Sequence, residues 1–457
     1  MKRIVTLLLA AGLVFGAFSG AQAADIKAKG VWAFELGWSD NVNFSSSKNG
    51  DAGEDDLSAK QRFRTQIDIV ASEALSGTVY FEIGASQWGA DDAALGADGK
   101  AVKVKRSYID WTVPQTDLKV RMGVQGVTLP GALGSAILDD DAAALTVSYA
   151  FNDMFGLTAL WARPYNMGAA ETATKNTFDE MDLFGLVAPV TLDGFKITPF
   201  VIAGSLGKDV DGATTTTWGD VIHQGMGTLT KGATAGIDNT ASLFWAGAAF
   251  EMSRFDPFSL KLDLNYGKKN AEAEDADRSG WLIDGIAEYK LGMVTPGLYF
   301  WYGSGEDDDT TNGSERMPFI SPVWGNSSFA YGFPGSGAFM DGMYGYNGTG
   351  SWGVGLQLAD ISFLQDLSHV FRVAYSKGTN SKEIASATYL SGIPGFQPMT
   401  TKDNMWEVNF DTTYKIYENL TVALELGYMK LSLDDDIWGD SAKDDAYKGN
   451  FVFTYSF

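Results

Sequence analysis

The side chains best placed to act on a solute form one basic set and one acidic set, close together in the first third of the chain. Arg62, Arg64, Lys103, Lys105, Arg106, Lys119 and Arg121 fall on what reads as three neighbouring strands, and Asp139, Asp140 and Asp141 follow soon after. Opposed fixed charges across a narrow aqueous gap do no covalent chemistry. They set up a transverse field that sorts hydrated solutes by size and charge. Catalytic alternatives find little material, because the chain holds 2 His and 0 Cys. His223 lies in a long polar loop and His369 beside a tight turn, and a Ser-His-acid hydrolase would need one of them next to a Ser at membrane height. Gly348-Thr349-Gly350-Ser351-Trp352-Gly353 spells G-x-G-x-x-G, yet it precedes a strand pattern and opens no helix, so the phosphate-binding context is missing. Asp308 to Gly313 echo the start of a calcium loop, but Thr310 stands where an acid or Asn belongs and Phe319 where the bidentate Glu should be. Without Cys there is no disulfide scaffold and no thiolate metal site. No cofactor is expected, with calcium held by loop carboxylates left as an open alternative.

Strands must position these charges. Residues 60–70 set Lys60, Arg62, Arg64, Gln66 and Asp68 on one face against Phe63, Ile67 and Ile69 on the other. The same alternation runs through 259–267, 406–415 and 420–428, and residues 117–125 set Lys119, Arg121 and Gln125 against Leu118, Val120, Met122 and Val124. Successive side chains of a strand point to opposite sides, so each segment offers one wet and one apolar face. In 102–111 the register conflicts: Lys103 and Lys105 want one face, and Arg106, Tyr108 and Asp110 the other, which predicts a bulge.

Tight connections carrying Gly, Pro, Asn or Asp fall at 73–77, 114–117, 151–153, 192–194, 254–257 and 417–419. They alternate with long polar loops near 40–59, 88–101, 126–141, 164–177, 205–239, 270–279, 304–349, 379–401 and 433–446. Short turns on one rim and long loops on the other are the asymmetry of outer-membrane barrels. Tryptophans cluster where strands end, as headgroup-level girdles do. A composition of 45% hydrophobic residues with 53 Gly and 12 Pro suits turn-rich β-structure, and no mature stretch reaches the roughly 18 apolar residues of a spanning helix. The expected fold is all-β: a transmembrane antiparallel β-barrel of about 16–18 strands, wide enough for an aqueous channel.

The ends agree. Lys2 and Arg3, the apolar run from Ile4 to Phe18 and Ala21-Gln22-Ala23 read as a cleaved signal peptide over 1–23, leaving 24–457 as one barrel domain. Cleavage takes two positive charges and no negative ones, so the net charge of −23 becomes −25. The acidity makes nucleic acid an unlikely partner and favours cations modestly at a pore mouth. In the last strand Phe451, Phe453, Tyr455 and Phe457 share a face that should meet lipid and close the barrel against the segment from Gly30 to Trp38.

Residues 126–141 carry Val127, Leu129, Leu133, Ile137 and Leu138, a poor composition for an exposed loop. The expectation is a loop folded inward as a constriction, with Asp139, Asp140 and Asp141 facing Arg62, Arg64, Arg106 and Arg121 across a gap, and Lys105 and Lys119 in the same basic wall. The alternative is a loop packed outside or on a neighbouring subunit.

Arg106-Ser107-Tyr108-Ile109-Asp110-Trp111, a short turn and then Leu118 to Gln125 resemble the approach to the third loop in Gram-negative general porins. The mature chain with its terminal Phe looks most like the homotrimeric porins of sulfate-reducing bacteria. That resemblance implies a homotrimer, passive diffusion of small solutes and ions, contact with outer-membrane lipid and lipopolysaccharide, and a terminal aromatic signal (Phe451, Phe453, Tyr455, Phe457) read by the barrel-assembly machinery. The chain departs from the best-known porins in two ways: its acidic triplet sits at the end of the loop, and its strand count is higher. The function expected is a water-filled diffusion porin. The alternatives are a substrate-specific channel, for which Phe329 to Tyr346 could supply lumenal aromatics, and a barrel hydrolase.

Overall fold

The computed structural model describes residues 24–41, 56–90, 93–96, 101–166, 180–207, 225–227, 240–272, 274–309, 311–325, 327–331, 348–383, 399–438 and 445–457. The expected signal at 1–23, His223, Thr310 and most of the Phe329–Tyr346 segment lie outside these residues.

The alternating segments form a meander. It starts with β1 (Asp25–Asp40), β2 (Asp56–Ser72), β3 (Leu75–Gln87), β4 (Lys103–Thr112), β5 (Lys119–Thr128) and a two-residue strand, β6 (Gly134–Ser135). It continues with β7 (Asp139–Ala150), β8 (Gly156–Asn166), β9 (Glu180–Val187), β10 (Val190–Leu192), β11 (Phe195–Leu206), β12 (Ala241–Phe255) and β13 (Phe258–Asn270). Then come β14 (Arg278–Tyr289), β15 (Thr295–Gly303), a second two-residue strand β16 (Val323–Trp324), and β17 (Ser351–Ile361). The chain ends with β18 (Leu367–Gly378), β19 (Asn404–Tyr417), β20 (Leu420–Ser432) and β21 (Ala446–Ser456).

All but β6 and β16 belong to one antiparallel sheet, in which β1 pairs with both β2 and β21. The sheet therefore closes and leaves no edge, the condition for a sheet to sit in lipid. β9 and β10 both pair with β11, and the break between them falls at Ala188 and Pro189, where proline has no N–H to donate to the ladder. Counted as one strand, they give an 18-strand barrel.

Side chains alternate as the sequence predicts. Trp32, Phe34, Leu36 and Trp38 are exposed on the outer wall while Ala33 and Glu35 are buried inside. At the seam Trp32 opposes Tyr455, Phe34 opposes Phe453 and Leu36 opposes Phe451. Phe457 exchanges two backbone hydrogen bonds of 3.0 Å with Gly30. Its ring lies where a Cβ on Gly30 would stand, which is why that position takes glycine. Short connections include 290–294 and 362–366, two that the turn residues had not singled out, and all of them share one rim with the seam's Gly30–Phe457 contact.

Candidate channel constriction

The hairpin of β5 and β7 does not stay in the wall. β4 pairs with β5 only as far as Ser107 opposite Val124, and β7 pairs with β8 only from Ala143 opposite Arg163. The β5–β7 ladder itself runs on to Thr128 opposite Asp139. Beyond Val124 and Ala143 the hairpin has lost both neighbours and turns into the lumen. Its apolar residues explain the direction, since Leu129 and Ile137 keep 1% of their surface and Leu138 keeps 2%. The tip crosses to the far wall, where the backbone N–H groups of Ala132 and Leu133 donate to the two carboxylate oxygens of Asp263 on β13, at 2.8 and 3.0 Å.

A second loop, between β15 and β17, meets it there. β16 pairs antiparallel with β6, and the Ile320 and Asp139 N–H groups donate to Ile137 and Ser321 carbonyls at 2.9 and 2.7 Å. This loop also docks on acids of the far wall. The Trp324 indole N–H donates to Asp284 on β14 (2.9 Å), the Ser328 hydroxyl to Asp411 on β19 (2.9 Å) and the Ala330 N–H to Glu407 on β19 (2.9 Å). Basic side chains hold its carbonyls: Arg278 donates to those of Arg316 and Met317, each at 3.0 Å, and Lys448 to that of Ser328 at 2.9 Å. Towards the long-loop rim, burial pushes the Glu306 carboxyl up from its ordinary value, against the pull of Arg316 and a hydrogen bond from Ser314.

On the near wall the bulge falls between Tyr80 and Phe81, which oppose Arg106 and Val104, so Lys105 is the extra residue. It resolves the register conflict of 102–111. Lys103 stands opposite Glu82, and both Lys105 and Arg106 reach the same carboxylate, that of Asp141, at 3.1 and 2.5 Å. Gly126 makes this possible, because a Cβ there would lie 2.9 Å from the Arg106 guanidinium carbon. Arg64 donates to Glu82 at 2.5 Å, Lys60 lies 3.5 Å from Glu35, and Arg62 is within electrostatic reach of both acids. Between hairpin and wall lies a cleft of about 420 Å³ lined by Glu82, Lys103, Lys105, Asp140, Asp141, Tyr165 and Ser321.

Several expected residues sit otherwise than the sequence suggested. Asp139, Asp140 and Asp141 do not oppose a basic wall across open water. Asp141 is in contact with it, the Thr128 hydroxyl donates to Asp139 at 2.6 Å, and Asp140 accepts the Ser321 hydroxyl at 2.8 Å. They begin β7, so they ride on the hairpin where it leaves β4 for the lumen, within reach of Lys105 and Arg106. Arg121 belongs to a separate pair, donating twice to Asp110 at 2.7 and 3.0 Å with its guanidinium 4.3 Å over the Tyr108 ring. Lys119 is exposed beside the short 113–118 connection. Neither joins the cluster at the hairpin. His369 stacks between Phe363 of the short 362–366 connection and Phe410 of the outer wall, and its Nδ1 shares a 2.8 Å hydrogen bond with Thr412. Among the described residues no group of three or more His, Asp or Glu is arranged to hold a metal ion.

Glu35 and Glu82, the partners of the basic ladder, had not been singled out, although alternation along β3 already puts Thr78, Tyr80 and Glu82 on one face. Nor had the inward course of the second loop. Met317, Phe319, Ile320 and Trp324 mark it as the apolar residues mark the first.

No family model matches the chain, and no curated protein does. Solved structures do. OprD of Pseudomonas aeruginosa aligns with a TM-score of 0.52 at 12% identity, covering 96% of this chain and 97% of that one. A BenF-like porin from Pseudomonas fluorescens aligns at 0.55 and 10% identity over 95% and 98%. OccK2 of Pseudomonas aeruginosa, solved in complex with glucuronate, aligns at 0.54 and 11% over 95% and 98%. These similar structures are Pseudomonas channels rather than the porins of sulfate-reducing bacteria that the sequence resembles. The chain has the fold of the outer-membrane porins of Gram-negative bacteria.

Proposed function

We propose that the chain is a solute-selective outer-membrane channel whose remaining aperture favours small carboxylate-bearing anions. One observation carries this reading. The acids of the far wall, Asp263, Asp284, Glu407 and Asp411, are occupied in holding the two lumenal loops, whereas the near wall keeps its cations beside the cleft. There the six cations Lys60, Arg62, Arg64, Lys103, Lys105 and Arg106 outnumber the four acids Glu35, Glu82, Asp140 and Asp141. On this reading the charge lining the aperture, rather than the total charge behind the expected modest cation preference, sets the selectivity, because the anchoring carboxylates stand behind the docked loops and the near-wall cations beside the cleft. Two joined loops also leave a narrower passage than a single constriction loop, which favours a selective channel over a general diffusion pore. The BenF-like porin and the glucuronate complex of OccK2 are in keeping with this. Purified protein in a planar bilayer provides the test. Reversal potentials in a KCl gradient should show anion preference, and glucuronate should block the current saturably. Cation preference with flux that stays linear in solute concentration would overturn the proposal. Homotrimeric assembly, implied by the porin resemblance, is a separate proposal to be read from native mass spectrometry.

A further inference from the structure

The two lumenal loops are anchored at neighbouring points of the far wall by a matched pair of acids. Asp263 of β13 and Asp284 of β14 stand directly opposite each other in register, and keep 2% and 0% of their surface. Both oxygens of Asp263 accept N–H groups from the hairpin tip, while one oxygen of Asp284, Oδ2, accepts the Trp324 indole N–H of the second loop. The other, Oδ1, meets no N–H or O–H donor among the described residues, and the two carboxyls lie within hydrogen-bonding reach of each other. Carboxylates offer only acceptors, so such a contact needs a proton on one of them. No cation takes its place, because neither acid forms an ion pair among the described residues. The nearest charges sit towards the short-turn rim. Glu251 of β12 opposes Lys261 of β13 and accepts Lys196 of β11 at 2.7 Å, and Glu288 of β14 accepts the Gln357 amide at 3.3 Å. β15 presents Trp301 to Asp284, and the loops present Leu133 and Trp324.

We propose that Asp263 and Asp284 share one proton and form a pH-sensitive latch, which holds both loops while that proton is present and releases them when it leaves. With one proton the pair carries a single negative charge, placed where the Ala132 and Leu133 N–H groups offset part of it. Asp284 then donates to Asp263 while accepting from Trp324. Without the proton, two like charges face each other on adjacent strands with no cation between them, a state relieved only by water. Water reaches them when the loops lift. In alkaline solution the docked state thus binds one proton more than the undocked state, so docking weakens as pH rises. The latch concerns the width of the passage and requires no anion preference, so this proposal and the functional one can fail separately.

Single-channel recording in planar bilayers, from neutral to strongly alkaline solution, tests the latch through the occupancy of a wide substate. In wild type that occupancy should rise with pH by up to about tenfold per unit, the limit for release of one proton. In D284N the amide donates to Asp263 while its oxygen accepts from Trp324, so the loops stay docked and the pair's pH response should vanish. D263N also removes the shared proton. Its response should be flat too, but from a higher starting occupancy, because the hairpin tip loses one of its two acceptor oxygens. Glu306 titrates alike in wild type and variants and cancels in the comparison. Equal pH dependence in wild type and both variants, or none in wild type, would overturn the proposal. So would loss of the barrel in both variants, judged by heat-modifiable migration, since the pair would then serve the wall and not the loops.

Discussion

Replacing Trp324 with Ala should open the constriction without unfolding the barrel. The side chain is buried to 1% exposure where the loops join, its ring centroid is 6.0 Å from that of Trp301 and 6.4 Å from that of Tyr331, and its N–H donates to Asp284 at 2.9 Å. Truncating a buried tryptophan costs about 3–5 kcal/mol. The β6–β16 pair lies outside the wall ladder, so nearly all of that cost falls on the docked state of the loops. At about 1.4 kcal/mol per tenfold, the undocked population rises by a factor of roughly 100 or more. Single-channel recording should then show larger unitary conductance, new substate noise and weaker discrimination between ions, with heat-modifiable migration as in wild type. Trp324→Phe, which keeps an aromatic ring but loses the hydrogen bond and part of the packing, should fall between. Unchanged conductance in Trp324→Ala would refute the idea that the joined loops limit the passage, and a lost barrel would refute the independence of loop and wall.

Three further outcomes are expected. Asp141→Asn frees Lys105 and Arg106 from their shared carboxylate, so the anion-to-cation permeability ratio should rise roughly fivefold, about 1 kcal/mol for one charge in a wet site; an unmoved reversal potential would count against the cluster. Because burial raises Glu306 above its usual 4.5, the 304–316 segment is held best when that carboxyl is protonated. Its stabilisation is complete below the unfolded value and fades as pH rises through the raised one, so amide protection there, relative to the intrinsic exchange rate at each pH, should fall towards neutrality in wild type but not in Glu306→Gln. Deleting Phe457 removes the reciprocal bonds to Gly30 and a ring 5.4 Å from Trp32; insertion yield should drop, while channels that do form should conduct as wild type.

The wall was largely legible in the sequence because a closed barrel imposes the same period of two on nearly every segment, with lipid on one side and water on the other. Even the bulge at Lys105 could be inferred, from charges that fit neither face in one register. The first lumenal loop betrayed itself by apolar residues. The contact between Arg106 and Asp141 did not, since it depends on the absence of a side chain at Gly126 and on a hairpin bending away from β4, neither of which a one-dimensional pattern records. The second loop was missed for a related reason. Its anchors Asp284, Glu407 and Asp411 look in sequence like ordinary wet-face acids, and only the folded chain turns them into acceptors for the loop's N–H and hydroxyl groups. The same difference separates total charge from the charge a permeating solute meets.

The β6–β16 pair joins segments far apart in the chain, carried by opposite sides of the wall. Such a contact is a late event, because its entropy of closure is recovered only once the intervening hairpins have brought the two walls face to face. A barrel caught before that moment would be a wide and unselective hole. Where the β1–β21 seam closes before the loops dock, a new channel would pass through a leaky stage, and the strength of the loop anchors would set how briefly the envelope is exposed to it.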